Sequence, residues 1–183
     1  ATAAKPARPA RPPVNLHPKV AFQTTAGEFV LELDAEKAPQ TVQNFLLYLD
    51  EGHYDRTLLH QVVKGCVIVG GTYDENLVER KNHPPIMNEA HNGLKNVRGT
   101  IAMARRANLV DSATSQFFIN LADNGYLDHK QRTVEDYGYC VFGKVVSGLE
   151  VLDRIALVEV RDAGEFASSP VEKIVVNSVR RVP

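Results

Sequence analysis

The sequence of 183 residues has no tryptophan and only two cysteines, Cys66 and Cys140. Because these two residues form no CxxC pair, the sequence excludes a disulfide scaffold, a zinc ribbon and a thioredoxin-type redox site. Lysine and arginine number 21 against 22 aspartates and glutamates, so the net charge of −1 gives no general attraction to nucleic acid. No apolar run approaches the roughly 20 residues that a membrane-spanning helix needs.

The common signatures of metal, phosphate and nucleophile chemistry are also missing. HxxxH and HExxH do not occur, so we expect no metal and no cofactor. Gly70-Gly71 lacks the GxGxxG pattern and a following helix, which favours a bulge or a tight turn there. No GxSxG occurs and neither cysteine has a histidine beside it in the sequence, so nothing indicates a covalent nucleophile.

The first 18 residues differ in composition from the rest of the chain. Five of the ten prolines lie at or before Pro18, and no acidic residue precedes Glu28. We therefore predict a flexible basic arm over 1–18 and one globular domain over 19–183. The chain begins at Ala1 with no apolar leader. This start is either the remnant of a removed signal peptide, which we favour and which implies a periplasmic or otherwise exported protein, or an arbitrary chain boundary.

Short apolar segments separated by turns predict a strand-rich domain. The predicted strands are 20–24, 28–33, 58–63, 66–69, 100–104, 116–120, 139–146 and 173–182, and 72–96 is predicted to be a long loop. Pro39 begins a helix that Gly52 ends, and Ser147 with Glu150 predicts a capping box for a second helix. Many short strands with only two helices indicate an all-β dominated fold, a closed antiparallel barrel.

Three segments carry the most specific motifs. They are Leu-Leu-His-Gln-Val-Val-Lys-Gly-Cys-Val-Ile-Val-Gly-Gly over 58–71, Arg-Gly-Thr-Ile-Ala-Met-Ala-Arg over 98–105, and Ser-Gln-Phe-Phe-Ile-Asn over 115–120 followed by Val-Phe-Gly-Lys-Val over 141–145. Together these runs resemble the cyclophilins, the barrel-type peptidyl-prolyl cis-trans isomerases, and are most similar to the bacterial exported branch. The resemblance covers 18–182.

The resemblance implies a closed eight-stranded antiparallel β-barrel capped by two α-helices, with a proline pocket on its outer face. It further implies a monomer without cofactors whose partners are proline-containing polypeptides. Gln61 falls at the position of the catalytic arginine, and the substrate-binding positions are His60, Cys66, Val67, Val69, Ala104, Arg105, Gln116, Phe118, Tyr126, Leu127 and Tyr139. The strand period of two agrees with this, since it places Gln116 and Phe118 on one face and Phe117 on the other.

The sequence departs from the family at four pocket positions. Gln61 stands in place of arginine, Cys66 of phenylalanine, Val67 of methionine and Val69 of glutamine. A neutral amide donates weaker hydrogen bonds than a guanidinium, so we expect ~1–3 kcal/mol less transition-state stabilisation, roughly ten- to hundredfold in rate.

Two functional hypotheses follow from these substitutions. The first is a peptidyl-prolyl isomerase of reduced activity that acts on X-Pro bonds in extended segments and assists folding. The alternative is a catalytically impaired module that binds a partner or an unfolded chain. Gln61 and Val69 favour the alternative, whereas Gln116 and Phe118 favour the enzyme. The two cysteines are expected to lie on opposite sides of the barrel wall and to remain unpaired.

Overall fold

The computed structural model describes residues 15–183. Its main sheet consists of β1 (Lys19–Thr24), β2 (Gly27–Leu33), β3 (Thr57–Leu58), β4 (Gln61–Val63), β5 (Val67–Gly70), β6 (Thr100–Met103), β7 (Phe117–Asn120), β8 (Val141–Ser147) and β11 (Val175–Val182). The helices are α1 (Pro39–Asp50) and α2 (Leu149–Ala156), and β9 (Val160–Ala163) pairs with β10 (Phe166–Pro170) in a separate hairpin. The fold is therefore mostly β with two helices, as predicted.

The main sheet curls until its two edges meet. Its strand order is β3-β11-β1-β2-β8-β6-β7-β5-β4, and every pairing is antiparallel. The edge strands β3 and β4 are separated only by Leu59 and His60. One continuous stretch of chain therefore pairs with β11 through β3 and with β5 through β4. The predicted strand 58–63 is thus interrupted, and counting its halves as one gives the eight strands of the predicted barrel.

Aromatic side chains fill the inside of the curled sheet. Phe22 and Phe29 are register partners in the β1–β2 hairpin, and their rings stack with centroids 4.8 Å apart. Phe117 meets Phe22 edge-on at 5.7 Å, and Phe45 of α1 lies 6.3 Å from both. Each such pair contributes about 0.5–1.5 kcal/mol beyond the burial of apolar area. This core fixes β7 with Phe117 inward and the following side chain outward.

The loop after β5 supplies the cap of α1. Pro39 begins the helix as predicted, but no side chain next to it caps the free amides. Instead the buried carboxylate of Glu89 accepts hydrogen bonds from the Gln40 amide (3.2 Å), the Thr41 amide (2.9 Å) and the Thr41 hydroxyl (2.7 Å). A distant acidic residue thereby satisfies the amides that a helix start leaves open.

The predicted capping box of α2 is wrong. The residue before the helix is Gly148, with φ of 85° and no side-chain cap, while Ser147 is still paired in β8 with Val30. A Cβ at Gly148 would lie 2.5 Å from the Glu28 carbonyl oxygen, so the close approach to β2 requires glycine there. The strand therefore continues one residue too far for Ser147 to act as a cap.

The hairpin of β9 and β10 was not predicted, because its sequence is polar and contains Gly164 and no alternating apolar pattern. It is held through Phe166, whose ring meets Tyr73 edge-on at 4.9 Å. This contact places the hairpin beside His60 and the start of β4.

The predicted N-terminal arm falls mostly outside the described residues, which begin at Asn15. Its last residues run along β2 and the turn that follows it. The Pro18 carbonyl accepts a hydrogen bond from the Leu33 amide at 2.9 Å, and the Leu16 carbonyl accepts one from the Ala35 amide at 2.8 Å. No helix within 15–183 is long and apolar enough to cross a membrane.

Candidate active site

One row of register partners crosses five strands of the outer sheet surface. Gln61 on β4 lies opposite Val69 on β5, Val69 opposite Phe118 on β7, Phe118 opposite Ala102 on β6, and Ala102 opposite Val141 on β8. Directly opposed residues share a face of the sheet, so these side chains form one continuous line. The row begins at the amide of Gln61 and continues as apolar surface.

A second apolar cluster, separate from the barrel core, forms around this row. Its buried members are Val69, Ala102, Phe118 and Val141, and its partly buried members are Val67, Leu94, Ala104, Leu127 and Tyr139. The Phe118 and Tyr139 rings meet edge-on with centroids 5.6 Å apart. Six predicted site residues are thus brought together. Sequence reasoning missed Leu94, Ala102 and Val141, although alternation along the predicted strand 100–104, which contains Ala104, could have indicated Ala102.

Gln116 lies immediately before β7 with its amide held in one orientation. The hydroxyl of buried Thr72 donates to Gln116 Oε1 at 3.1 Å. Because the oxygen already accepts this bond, Nε2 is the end of the amide that can donate to a ligand. Both residues also line an adjoining cavity of about 520 Å³, together with Ala104 and Arg105. The role of Thr72 was not predicted.

Gln61 is half-buried at the edge of the cluster. Its cross-strand partner Val69 presents only an isopropyl group, which cannot accept or donate a hydrogen bond. The carboxamide of Gln61 therefore stands beside apolar surface, where it can donate two N–H groups to a bound peptide but carries no charge.

His60 is placed outside the apolar cluster. The residue is 7% exposed, and its ring packs edge-on against Tyr73 at 4.8 Å and Phe166 at 6.2 Å. Within the described part of the chain, Nδ1 has no hydrogen-bond partner. Burial lowers the pKa of His60 to about 4, so the imidazole is neutral at pH 7. These surroundings suit a packing residue beneath the β9–β10 hairpin.

Cys66 and Tyr126 contact each other at the rim. The Cys66 thiol lies 3.0 Å from the Tyr126 hydroxyl, and Tyr126 is 64% exposed. That hydrogen bond is the main cause of the raised pKa of Tyr126.

Cys140 lies inside the barrel, 3.4 Å from the Thr41 hydroxyl, and burial raises the pKa of the Cys140 thiol to about 12. Both cysteines are free, which confirms that they are unpaired.

Arg105 lies at the edge of the cluster behind Tyr139. Its Cζ is 5.0 Å from the centroid of the Tyr139 ring, a distance suited to a cation–π contact. Its Nε donates to the Gly138 carbonyl at 3.0 Å and its Nη2 to the Val134 carbonyl at 2.8 Å. The guanidinium is therefore directed at the protein's own backbone.

The arrangement is suited to binding a small apolar ring flanked by peptide carbonyls. Phe118 and Tyr139 provide aromatic surface, while Gln61 and Gln116 provide amide donors at its margins. Among the described residues no cluster of three or more His, Cys, Asp or Glu could hold a metal ion. The aromatic and amide side chains of this site can stabilise a bound peptide through apolar contacts and hydrogen bonds.

Comparisons with known proteins agree with the fold. A family described as cyclophilin-type peptidyl-prolyl cis-trans isomerase/CLD matches residues 19–181. Peptidyl-prolyl cis-trans isomerase A of Dickeya dadantii is 47% identical over 161 residues, covering 88% of this chain and 83% of that protein. Peptidyl-prolyl cis-trans isomerase B of Escherichia coli is 43% identical over 160 residues, covering 87% of this chain and 97% of that protein.

Solved structures show the same fold. A cyclophilin-type peptidyl-prolyl cis-trans isomerase from Cryptosporidium parvum superimposes with a TM-score of 0.75 at 24% identity, covering 91% of this chain and 98% of that one. A second structure of that protein, obtained in the presence of the dipeptide Ala-Pro, also gives a TM-score of 0.75, at 23% identity.

Proposed function

This chain belongs to the cyclophilin-type peptidyl-prolyl cis-trans isomerase family, and we propose that it isomerises X-Pro bonds in extended polypeptide segments at a reduced rate, assisting protein folding. The observation that carries the proposal is the outer apolar cluster on Phe118, with oriented Gln116 at its margin. The relative crystallised in the presence of Ala-Pro supports a proline-containing peptide as the ligand.

In this proposal the prolyl ring lies on Phe118 and against Tyr139, and Gln116 Nε2 donates to a neighbouring peptide carbonyl. Rotation about the prolyl amide meets a barrier of about 20 kcal/mol because resonance joins nitrogen and carbonyl. In the twisted state the nitrogen regains a lone pair that can accept a hydrogen bond. We propose that Gln61, which by resemblance stands at the family's arginine position, donates this hydrogen bond, so that the reaction needs no covalent step.

The reduced rate follows from the chemistry of that donor. A guanidinium has five N–H donors and a full positive charge, whereas the Gln61 amide has two N–H donors and no charge. Since charge-assisted hydrogen bonds are roughly twice as strong as neutral ones, we expect a loss of ~1–3 kcal/mol, about ten- to hundredfold in kcat.

The second candidate function is a module that binds proline-containing segments without isomerising them. The pairing of Gln61 with Val69 favours it, because an uncharged amide beside a valine is a weak donor for the twisted prolyl nitrogen. The binding surface of Phe118 and Tyr139 is the same in both functions, so the two differ only in turnover.

A protease-coupled isomerisation assay on a short X-Pro peptide separates the two functions. We expect the parent protein to accelerate isomerisation weakly and Gln61→Arg to accelerate it further. Gln43→Arg on the exposed face of α1 is the matched control, since it adds the same charge away from the cluster. Peptide binding without any acceleration would favour the binding module, and neither binding nor acceleration would refute both.

The cellular setting is part of the same proposal. Resemblance to the exported bacterial branch supports a monomer that acts in the periplasm or otherwise outside the cytoplasm. Fractionation of the host cells with an antibody against this protein would test the location. Sedimentation velocity would test the monomer.

A further inference from the structure

The segment Asp128–Gly138, which we call the pocket-wall loop, connects two residues of the apolar cluster. Leu127 precedes it and Tyr139 follows it, and the Tyr139 amide donates to the Leu127 carbonyl at 2.9 Å. A Cβ at Gly138, where φ is 77°, would lie 2.5 Å from the backbone nitrogen of His129. The two ends of the loop are thus closely packed, and their placement shapes one side of the cluster.

Arg105 bonds this loop at both its base and its tip. Its Nε donates to Gly138 at the base and its Nη2 to Val134 at the tip. Its Nη1 donates to the carbonyls of Arg106 at 3.0 Å and Ala107 at 3.2 Å, in the connection between β6 and β7. One planar guanidinium therefore joins two separate segments, which the single ammonium of a lysine cannot do with the same geometry.

The same guanidinium lies over the Tyr139 ring, which forms a T-shaped pair with the Phe118 ring. Tyr139 is therefore held by Arg105 through its ring and through the loop that ends beside it. Without Arg105 the loop would lose the hydrogen bonds to its Gly138 and Val134 carbonyls, and the Tyr139 ring would lose its cation–π contact. The wall formed by Tyr139 and Leu127 would then be free to move away from Phe118.

We propose that Arg105 is a positioning residue for isomerisation, which fixes the pocket-wall loop so that Leu127 and Tyr139 form the wall against which the prolyl ring binds. This inference rests on the proposed function, but its structural part is measurable without turnover. Arg105 acts on substrate through Tyr139, and its N–H groups remain on backbone carbonyls during the reaction.

The role of Arg105 predicts a change in KM rather than in kcat. The wall contacts the prolyl ring alike in the ground state and the twisted state, so its loss removes uniform binding. If Arg105→Ala reduces the population with a closed wall to about a tenth, KM rises about tenfold while kcat stays within about twofold. Arg105→Lys keeps the charge but not the set of carbonyl bonds, and we expect it to resemble Arg105→Ala.

The test combines steady-state isomerisation kinetics with amide hydrogen exchange. Exchange at Lys130 and Tyr139, whose amides donate to the Asp136 and Leu127 carbonyls, should accelerate in Arg105→Ala, while β1 and β2 keep their protection. Arg132→Ala is the matched control, because it removes an exposed arginine from the same loop. It should match the parent protein in kinetics and in exchange.

Several results would overturn the inference. In Arg105→Ala, a positioning role would be contradicted by unchanged amide exchange in the loop, or by faster exchange with an unchanged KM. A fall in kcat at constant KM would also contradict it. So would parent-like behaviour of Arg105→Lys. If the parent protein shows no turnover, the proposed function fails. Titration of labelled protein with an Ala-Pro peptide, together with the exchange data, then still decides whether Arg105 holds the wall.

Discussion

Gln61 and Val69 are direct partners across the β4–β5 ladder, so the side chain at one position is the immediate environment of the side chain at the other. An arginine introduced at Gln61 would lie beside a valine, which offers nothing to hold its guanidinium. An amide at position 69 would supply a hydrogen-bond acceptor at that place. The two substitutions are therefore expected to depend on each other.

We predict positive coupling in a double-mutant cycle of Gln61→Arg and Val69→Gln. Gln61→Arg alone should raise kcat/KM only partly, because ordering a free arginine costs up to ~2 kcal/mol of side-chain entropy. Val69→Gln should raise kcat/KM more in the Gln61→Arg background than in the parent protein. The coupling free energy, calculated from kcat/KM of the four proteins, should be roughly 0.5–3 kcal/mol. Additive effects, or a parent as fast as an arginine-bearing cyclophilin, would contradict the role given to Gln61.

Thr72 is predicted to act through Gln116. Thr72→Val removes the hydroxyl that donates to Gln116 Oε1, so the amide can turn its oxygen toward the peptide. A hydrogen bond of about 0.5–1.5 kcal/mol net corresponds to a fall in kcat/KM of about two- to tenfold. Thr72→Ser keeps the hydroxyl and should retain near-parent activity. Equal kcat/KM in the valine and serine variants would show that Gln116 needs no such partner.

The parts of the fold and site that the sequence predicted are those governed by local pattern. Alternation along 116–120 separates Phe117, which packs in the core, from Phe118, which lies in the outer cluster. Within α1, Val42 and Phe45 lie three residues apart and are both buried, so the helical period likewise identifies the buried face of the helix. Local spacing is enough in such cases, because the strand and helix periods alone decide which face a residue occupies.

The parts that were missed depend on contacts between distant segments. Glu89 caps α1 from 48 residues away, and Thr72 reaches Gln116 across 44 residues. The bonds from Arg105 to Gly138 and Val134 likewise depend on how two loops meet. No short-range pattern carries such information. The capping box failed for the converse reason, since its spacing was right but tertiary pairing kept Ser147 in β8.

Glu89 is predicted to stabilise the fold through α1. Glu89→Ala leaves the amides of Gln40 and Thr41 without their carboxylate, at a cost of about 1–3 kcal/mol. Urea unfolding followed by circular dichroism would measure it. Glu150→Ala is the control: it removes an exposed carboxylate from the first turn of α2 that makes no capping bond, and should change stability by less than about 0.5 kcal/mol. Equal losses in the two variants would contradict the capping role.

The two thiols are predicted to differ in reactivity. Cys140 is buried with a pKa of about 12, so it carries almost no thiolate at pH 8, whereas Cys66 is partly exposed at the rim. Ellman's reagent should modify one thiol in the native protein and two after denaturation without reductant. Cys66→Ser should abolish the native reaction. A denatured protein with no free thiol and the mass of a monomer would instead indicate a disulfide.

Lowering the pH is predicted to destabilise the protein through His60. Burial lowers its pKa in the folded state to about 4, below the ordinary value of about 6.5 that it regains on unfolding. Between these values the unfolded chain binds the extra proton, so this contribution is fully present above about pH 6.5 and is lost as pH falls toward 4. At ~1.4 kcal/mol per pH unit, the loss between pH 6.5 and 4.5 is about 2–3 kcal/mol.

The measurement is urea unfolding of the parent and of His60→Gln across that pH range. His60→Gln removes the titrating group, so its stability should fall less steeply between pH 6.5 and 4.5 than that of the parent. Some slope should remain, because burial also lowers the pKa of His53. His17→Gln controls for the removal of an exposed imidazole. Equal slopes in the parent and His60→Gln would show that His60 takes up its proton without unfolding, which its packing against Tyr73 and Phe166 should prevent.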